Sequence, residues 1–173
     1  MSAKGNVFKT VLVGEGGVGK TSLAVRYTED RFDDSMKMTI GVNFASKRVV
    51  VDGKDVRLLL WDLGGQPRFQ DVVTGYFVGA KLGIAVYSVP SPLTLLKLEN
   101  WITRLHESVP ACDLFVVGNK MDERESGSVM TEEARHFAES YGAPLFEVSA
   151  RTGEGVQLLF DSVARFLASK YLQ

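Results

Sequence analysis

The run Gly14-Glu15-Gly16-Gly17-Val18-Gly19-Lys20-Thr21 constrains this chain more than any other segment. It has the spacing G-x-x-x-x-G-K-[ST], follows an apolar run at Val7–Val13 that reads as a strand, and opens a helical pattern from Lys20 to about Thr28. In that context consecutive backbone N–H groups turn inward and cradle phosphate oxygens, because glycine accepts the backbone angles that the turn demands. The start of the helix adds its dipole. Gly16, Gly17, Val18 and Gly19 are the candidate backbone donors, with Ser22 behind them in the first helical turn. Lys20 can reach the outer phosphates, and the Thr21 hydroxyl can ligate Mg²⁺. The segment predicts a bound nucleoside triphosphate without choosing its base.

The rest of the chain fixes the kind of sheet. Ala45–Val51 and Val56–Trp61 are apolar, β-branched runs joined by Asp52-Gly53, a hairpin signal. Leu82–Val89 and Leu114–Gly118 are short continuous apolar runs suited to buried parallel strands. Leu93–Glu107 has helical periodicity, and a further helix is predicted from Thr131 as N-cap, with Glu132 and Glu133 in its first turn. Leu145–Val148 reads as the last strand. Val156, Leu159, Phe160, Val163 and Leu167 mark one face of the final helix. The polar stretch Glu29–Gly41 has no element of its own. This order predicts an α/β fold with helices on both faces of a sheet that is parallel except for one hairpin. Ligands of such sheets gather beyond the carboxyl ends of the strands, here after Val13, Trp61, Val117 and Val148.

Length and charge narrow the function. The 173 residues fit one domain over 1–173. Lys and Arg total 20 and Asp and Glu 21, a net charge of −1, so no strong field is expected to hold nucleic acid or an anionic membrane. The single cysteine, Cys112, excludes an internal disulfide framework and predicts a reducing, cytoplasm-like compartment. The longest uncharged apolar stretch, Leu82–Leu96, contains Pro90 and Pro92 and is too short and broken to cross a bilayer. Met1-Ser2-Ala3-Lys4-Gly5 has no signal-peptide character, and Ser169-Lys170-Tyr171-Leu172-Gln173 has no cysteine to prenylate, so no direct membrane anchor is expected. Trp101 is expected to serve helix packing, and Cys112, His106 and His136 to be chemically quiet.

Asn119-Lys120-Met121-Asp122 chooses the base. It follows the strand Leu114–Gly118. A carboxylate there accepts from both the ring N–H and the exocyclic amine of guanine, whereas adenine would present a ring acceptor to it. A buried carboxylate left unpaired is costly, so the discrimination should be strong.

With these segments in place the chain resembles the Ras superfamily of small GTPases from about Val7 to Leu172. The resemblance implies a phosphate-loop G domain with a mostly parallel six-stranded sheet. It implies that Asn119, Lys120 and Asp122 hold guanine, that Ser149-Ala150-Arg151 matches the family's S-A-K segment with the Ala150 N–H near the guanine oxygen, and that Phe32 lies against the base edge. The resemblance places Thr39 in the family's first switch, where its hydroxyl would join the Mg²⁺ shell only when a γ-phosphate is present. Asp62 would hold Mg²⁺ through water. In the second switch the Gly65 N–H would meet the γ-phosphate and Gln66 would orient the attacking water.

Thr39-Ile40-Gly41-Val42-Asn43-Phe44, Trp61-Asp62 with Gln66-x-Arg68-Phe69, and Tyr76-Phe77-x-Gly79-Ala80 look like Rab proteins. That branch's exposed aromatic trio, read by effectors, would be Phe44, Trp61 and Tyr76. Asp62-Leu63-Gly64-Gly65-Gln66 looks instead like Arf proteins and Gα subunits, since Leu63-Gly64 stands where Rab and Ras proteins carry Thr-Ala. Pro67 follows Gln66 and biases it away from helical geometry. Met36 stands where Gα proteins carry an arginine, and Lys37 is the nearest cation.

The implied function is a switch that binds GTP or GDP with Mg²⁺ and hydrolyses GTP slowly, with Lys20, Gln66 and Gly65 as the residues of the chemistry. An exchange factor, a GTPase-activating protein and effectors are the implied partners, and a monomer is expected. A GTP-binding scaffold with negligible hydrolysis is the alternative, favoured by Pro67. A phosphate-loop kinase or ATPase is the other, opposed by the guanine-reading segments.

Overall fold

The computed structural model describes residues 6–66, 68 and 70–172, without the side chain at 70; the expectations placed on Pro67 and Phe69 lie outside the described residues. Seven elements bracket the phosphate loop and the hairpin: β1 Val7–Val13, α1 Lys20–Glu29, β2 Val42–Val51, β3 Lys54–Leu63, α2 Gln70–Thr74, β4 Leu82–Ser88 and α3 Pro92–Ser108. β5 Asp113–Asn119, α4 Thr131–Glu139, β6 Leu145–Glu147 and α5 Val156–Tyr171 complete the order. The six-stranded sheet runs β2-β3-β1-β4-β5-β6. β2 and β3 are antiparallel and the other pairs parallel, as the alternation predicts. Asp52 and Gly53 both take positive φ, 49° and 78°, the pair of angles that a tight hairpin turn matched to strand twist requires.

The side-chain alternation of central strands builds two cores. Leu12 of β1 with Ile84 and Val86 of β4 point to the face covered by α1 and α5, while Val11, Val13, Ala85 and Tyr87 point to the face covered by α3. Every residue of β4 is buried, which is why its sequence is continuously apolar rather than alternating. The five expected α5 face residues are all buried.

Several boundaries differ from the sequence pattern by one to three residues, and three of them have a tertiary reason. β2 starts at Val42 rather than Ala45 because Val42, Asn43 and Phe44 pair with Leu63, Asp62 and Trp61. β5 reaches Asn119 because Ser88 and Asn119 are still in register. Met130, not Thr131, is the N-cap of α4; the Thr131 hydroxyl bonds Glu147 Oε1 at 2.6 Å instead. The short α2 was not legible, since five residues carry too little periodicity. Among the described residues no helix is long and apolar enough to cross a membrane.

Candidate functional site

The carboxyl ends of β1, β3 and β5 open into a cavity of about 250 Å³, lined at one end by the glycine loop and at the other by Asp122, Ala150 and Arg151. Gly17 and Gly19 hold φ of 84° and 94°, angles that keep side chains out of the loop. A Cβ at Gly19 would lie 2.2 Å from Asn119 Nδ2. Lys20 is buried, and its Nζ donates to the carbonyls of Gly14 and Glu15, both at 2.9 Å. Burial pulls its pKa down to about 8, while Asp62 and Glu15 act in the opposite direction.

One corner of the cavity gathers hard oxygen donors. Thr21 Oγ1 and Thr39 Oγ1 stand 2.6 Å apart, and both donate to Asp62 Oδ2, Thr39 at 3.4 Å. The carboxylate is buried, which raises its pKa despite the hydrogen bonds from Thr21 and the nearby Lys20 charge. Asp62 Oδ1 is buried with no hydrogen-bond partner among the described residues. Buried carboxylate oxygens are rarely left so. One carboxylate and two hydroxyls are too few to cage a cation. They suit Mg²⁺, which keeps waters and takes further oxygens from phosphates. Among the described residues no group of three or more His, Cys, Asp or Glu side chains could hold a metal without such help.

The opposite end is stapled together before any ligand is considered. Asn119 Nδ2 donates to Val18 O at 2.9 Å, its Oδ1 accepts from the Ala150 N–H at 3.0 Å, and Lys120 Nζ donates to Gly17 O at 2.8 Å. The Ala150 amide expected at a guanine oxygen therefore already has Asn119 as acceptor. Ser149 is fully buried behind Asp122, whose Oδ1 accepts from its hydroxyl at 2.7 Å. Arg26 of α1 was not singled out by sequence; its guanidinium donates to Ala150 O at 2.8 Å and Arg151 O at 2.6 Å, fixing that loop from below. The Arg151 guanidinium stands 5.0 Å from the Phe32 ring centroid and 3.1 Å from Asp34 Oδ1. Phe32 and Arg151 both line the cavity.

The second switch meets the loop by backbone. Gly16 N–H donates to Gly65 O at 3.2 Å. A Cβ on Gly65 would lie 2.4 Å from Glu15 C, Gly14 O and Gly16 N, so only glycine fits. Gln66 stands outside the cavity lining. Its Nε2 faces Met38 Sδ at 3.5 Å and its Oε1 accepts from Arg68 at 2.9 Å. Val18 is also absent from the lining; its side chain roots in the core under α1 and α5. Gly16, Gly17, Gly19, Lys20, Thr21, Ser22, Thr39, Gly65, Asn119, Lys120 and Asp122 do line the cavity with Asp62. Asp33, Asp34, Met36, Lys37, Met38 and Glu123 join them without having been singled out as binding residues; the first five lie in a polar segment whose lack of periodicity gives no sign of where it folds back, and Glu123 follows Asp122.

Phe44, Trp61 and Tyr76 form a continuous surface beside this site. Phe44 packs edge-on to Trp61 at 4.6 Å between centroids, and Tyr76 lies 6.0 Å beyond. Phe44 is 63% exposed, while Lys9 covers the Trp61 ring at 3.6 Å.

A model of the Ras family matches residues 9–169. The chain is 40% identical over 167 residues to Ras-related protein Rab-18-B of Danio rerio, covering 95% of this chain and 79% of that protein. It is 35% identical over 166 residues to Ras-related protein Rab-13 of Mesocricetus auratus, covering 95% of this chain and 82% of that one.

Proposed function

Because the chain belongs to the Ras family and is a Rab-like GTP-binding switch that hydrolyses GTP, we propose that its nucleotide lies along the cavity with phosphates in the glycine loop and guanine between Asp122 and Ala150. The convergence of Thr21, Thr39 and Asp62 beside Lys20 carries this reading. Gly16, Gly17, Val18 and Gly19 offer amides to the phosphates, Lys20 offers its charge, and Ser22 supports the loop from the first turn of α1. Asp122 accepts from the guanine edge, with Ser149 holding it in place. Asn119 and Lys120 fix the base loop, and Phe32 and Arg151 flank the ring. Thr21, Thr39 and Asp62 would hold Mg²⁺, which when bound supplies charge to the phosphate oxygens.

Phosphoryl transfer asks a protein for positioning and charge rather than covalent help. Lys20 neutralises charge that builds between the outer phosphates. Gly65, free of a side chain, brings its N–H to the terminal phosphate. Gln66 orients the attacking water once it leaves Met38 and Arg68. The cations lining the cavity are Lys20, Lys37, Lys120 and Arg151, and the single arginine stands at the base end, by Phe32 and Asp122. Intrinsic hydrolysis is accordingly slow, and an arginine supplied by a partner should raise it ~10³–10⁵-fold, the general range for this device. Single-turnover phosphate release from purified, GTP-loaded protein tests the assignment: Gln66→Leu should slow it about tenfold or more, and equal rates would remove Gln66 from the chemistry and leave a scaffold-like binder.

The switching step uses the same contacts. Beyond their contacts with Thr21, Asp62 and Gly16, Thr39 offers its hydroxyl and Gly65 its N–H to the γ-phosphate side of the site, so loss of that phosphate should loosen both loops. Gly64 sets how closely they meet. Its N–H donates to Gly41 O at 2.8 Å, and an added Cβ would lie 3.0 Å from Thr39 O and 3.1 Å from Gly41 O. Both neighbours are backbone, so Gly64→Ala should push residues 39–41 outward. Hydrogen exchange there should quicken several-fold with a GTP analogue bound and change little with GDP; unchanged protection would contradict the contact's role. The Phe44, Trp61 and Tyr76 surface is the proposed meeting place for effectors, and the cytoplasm the proposed compartment.

A further inference from the structure

We infer that the hydrogen bond from Trp101 to Glu15 is a strut holding the phosphate loop against α3, which makes Trp101 a positioning residue for the nucleotide's phosphates; the inference rests on the reading of the site given above. Between Gly14 and Lys20 the loop has two residues with side chains, Glu15 and Val18. Glycine backbones are conformationally loose, so an amide cradle made of them needs roots to stay preorganised. Val18 supplies one by burying its side chain in the core beneath α1 and α5.

Glu15 supplies the other on the opposite face of the sheet. Trp101 lies in α3 with 1% of its surface exposed, packed in the second core. Its indole N–H reaches out of that core to Glu15 Oε1 at 3.0 Å. The acceptor is a carboxylate, so the bond is charge-assisted and stronger than a neutral one. The residue it pins is central to the loop. The Glu15 carbonyl receives Lys20 Nζ at 2.9 Å, and a Cβ on Gly65 would lie 2.4 Å from the Glu15 carbonyl carbon. A single side chain thus ties a 17-residue helix to the backbone that meets Lys20 on one side and the second switch on the other.

A purely structural Trp101 would need some acceptor for its N–H and nothing more. Dissociation of a fluorescent GDP separates the two roles. Trp101→Phe keeps an aromatic ring, smaller than the indole, and deletes the donor, and should release GDP about tenfold faster than wild type. Glu15→Ala should match it, and the double variant should be no worse than Glu15→Ala alone, because both delete the same contact. Glu15→Gln keeps an acceptor oxygen and should recover most of the loss. GDP release within twofold of wild type in Trp101→Phe and Glu15→Ala, or additive effects in the double variant, would overturn the strut. Should Trp101→Phe fold poorly, Glu15→Ala against Glu15→Gln decides alone, equal release by the two overturning it. Absence of GDP binding by the wild type would overturn the reading of the site instead.

Discussion

Lys20→Ala should weaken GDP and GTP binding by about 10²–10³-fold, since it removes a buried charge-assisted contact to the phosphates, and should at the same time raise the melting temperature of the nucleotide-free protein. The second effect follows from burial. In the folded chain the Lys20 pKa falls from 10.5 to about 8, so the unfolded chain holds this proton more tightly. The folded, empty protein therefore carries a penalty of about 3 kcal/mol that is fully present below pH 8 and fades as pH rises towards 10.5. Alanine lifts it at neutral pH. Phosphates favour the charged amine, so nucleotide binding takes up a proton above pH 8, and affinity falls as pH climbs beyond that point. Cys112 acts in the other direction: burial pushes its thiol up to about 12 from 9.0, which lowers stability as the unfolded thiol ionises above pH 9. The difference between wild type and Lys20→Ala cancels that contribution. Thermal melts and titration calorimetry from pH 7 to 9.5 check both effects, and a pH-independent affinity would refute the role given to Lys20.

Asp122→Asn should cost about 10²–10³-fold in affinity for guanine nucleotides and invert the preference between bases. Asp122 Oδ1 already accepts from the Ser149 hydroxyl at 2.7 Å. An asparagine would keep its oxygen there and turn its amide donor towards the base, where guanine also presents donors. A purine with an oxo group in place of the exocyclic amine would then be the better match. Competition of the corresponding triphosphates against a fluorescent guanine nucleotide measures the inversion, and retained guanine preference would place the base elsewhere.

Local sequence carried the parts of this architecture that depend on neighbours in the chain. The Asp52-Gly53 turn, the continuous burial of β4 and the glycine loop each follow from a short pattern. Contacts between distant segments left no such trace. Arg26 grips Ala150 and Arg151 across 124 and 125 positions, and Trp101 meets Glu15 across 86. A helical tryptophan advertises packing, and nothing nearby tells where its N–H points. Asn43 interrupts an apolar pattern and so hid the start of β2, though its pairing with Asp62 helps bring the segment that carries Thr39 up to Asp62. Most of the residues named from sequence line the cavity at the strand ends; the position of Gln66 beside Met38 and Arg68 was not legible.

The bonds from Asn119 to Val18 O and from Lys120 to Gly17 O make the two recognition loops a single jaw. In the proposed binding mode, base and phosphates would rest on one stiff body, so loosening the hold on one end should loosen it on the other. A catalyst of nucleotide release would then need to pry at only one end, and leverage applied at the phosphates should be felt at the purine.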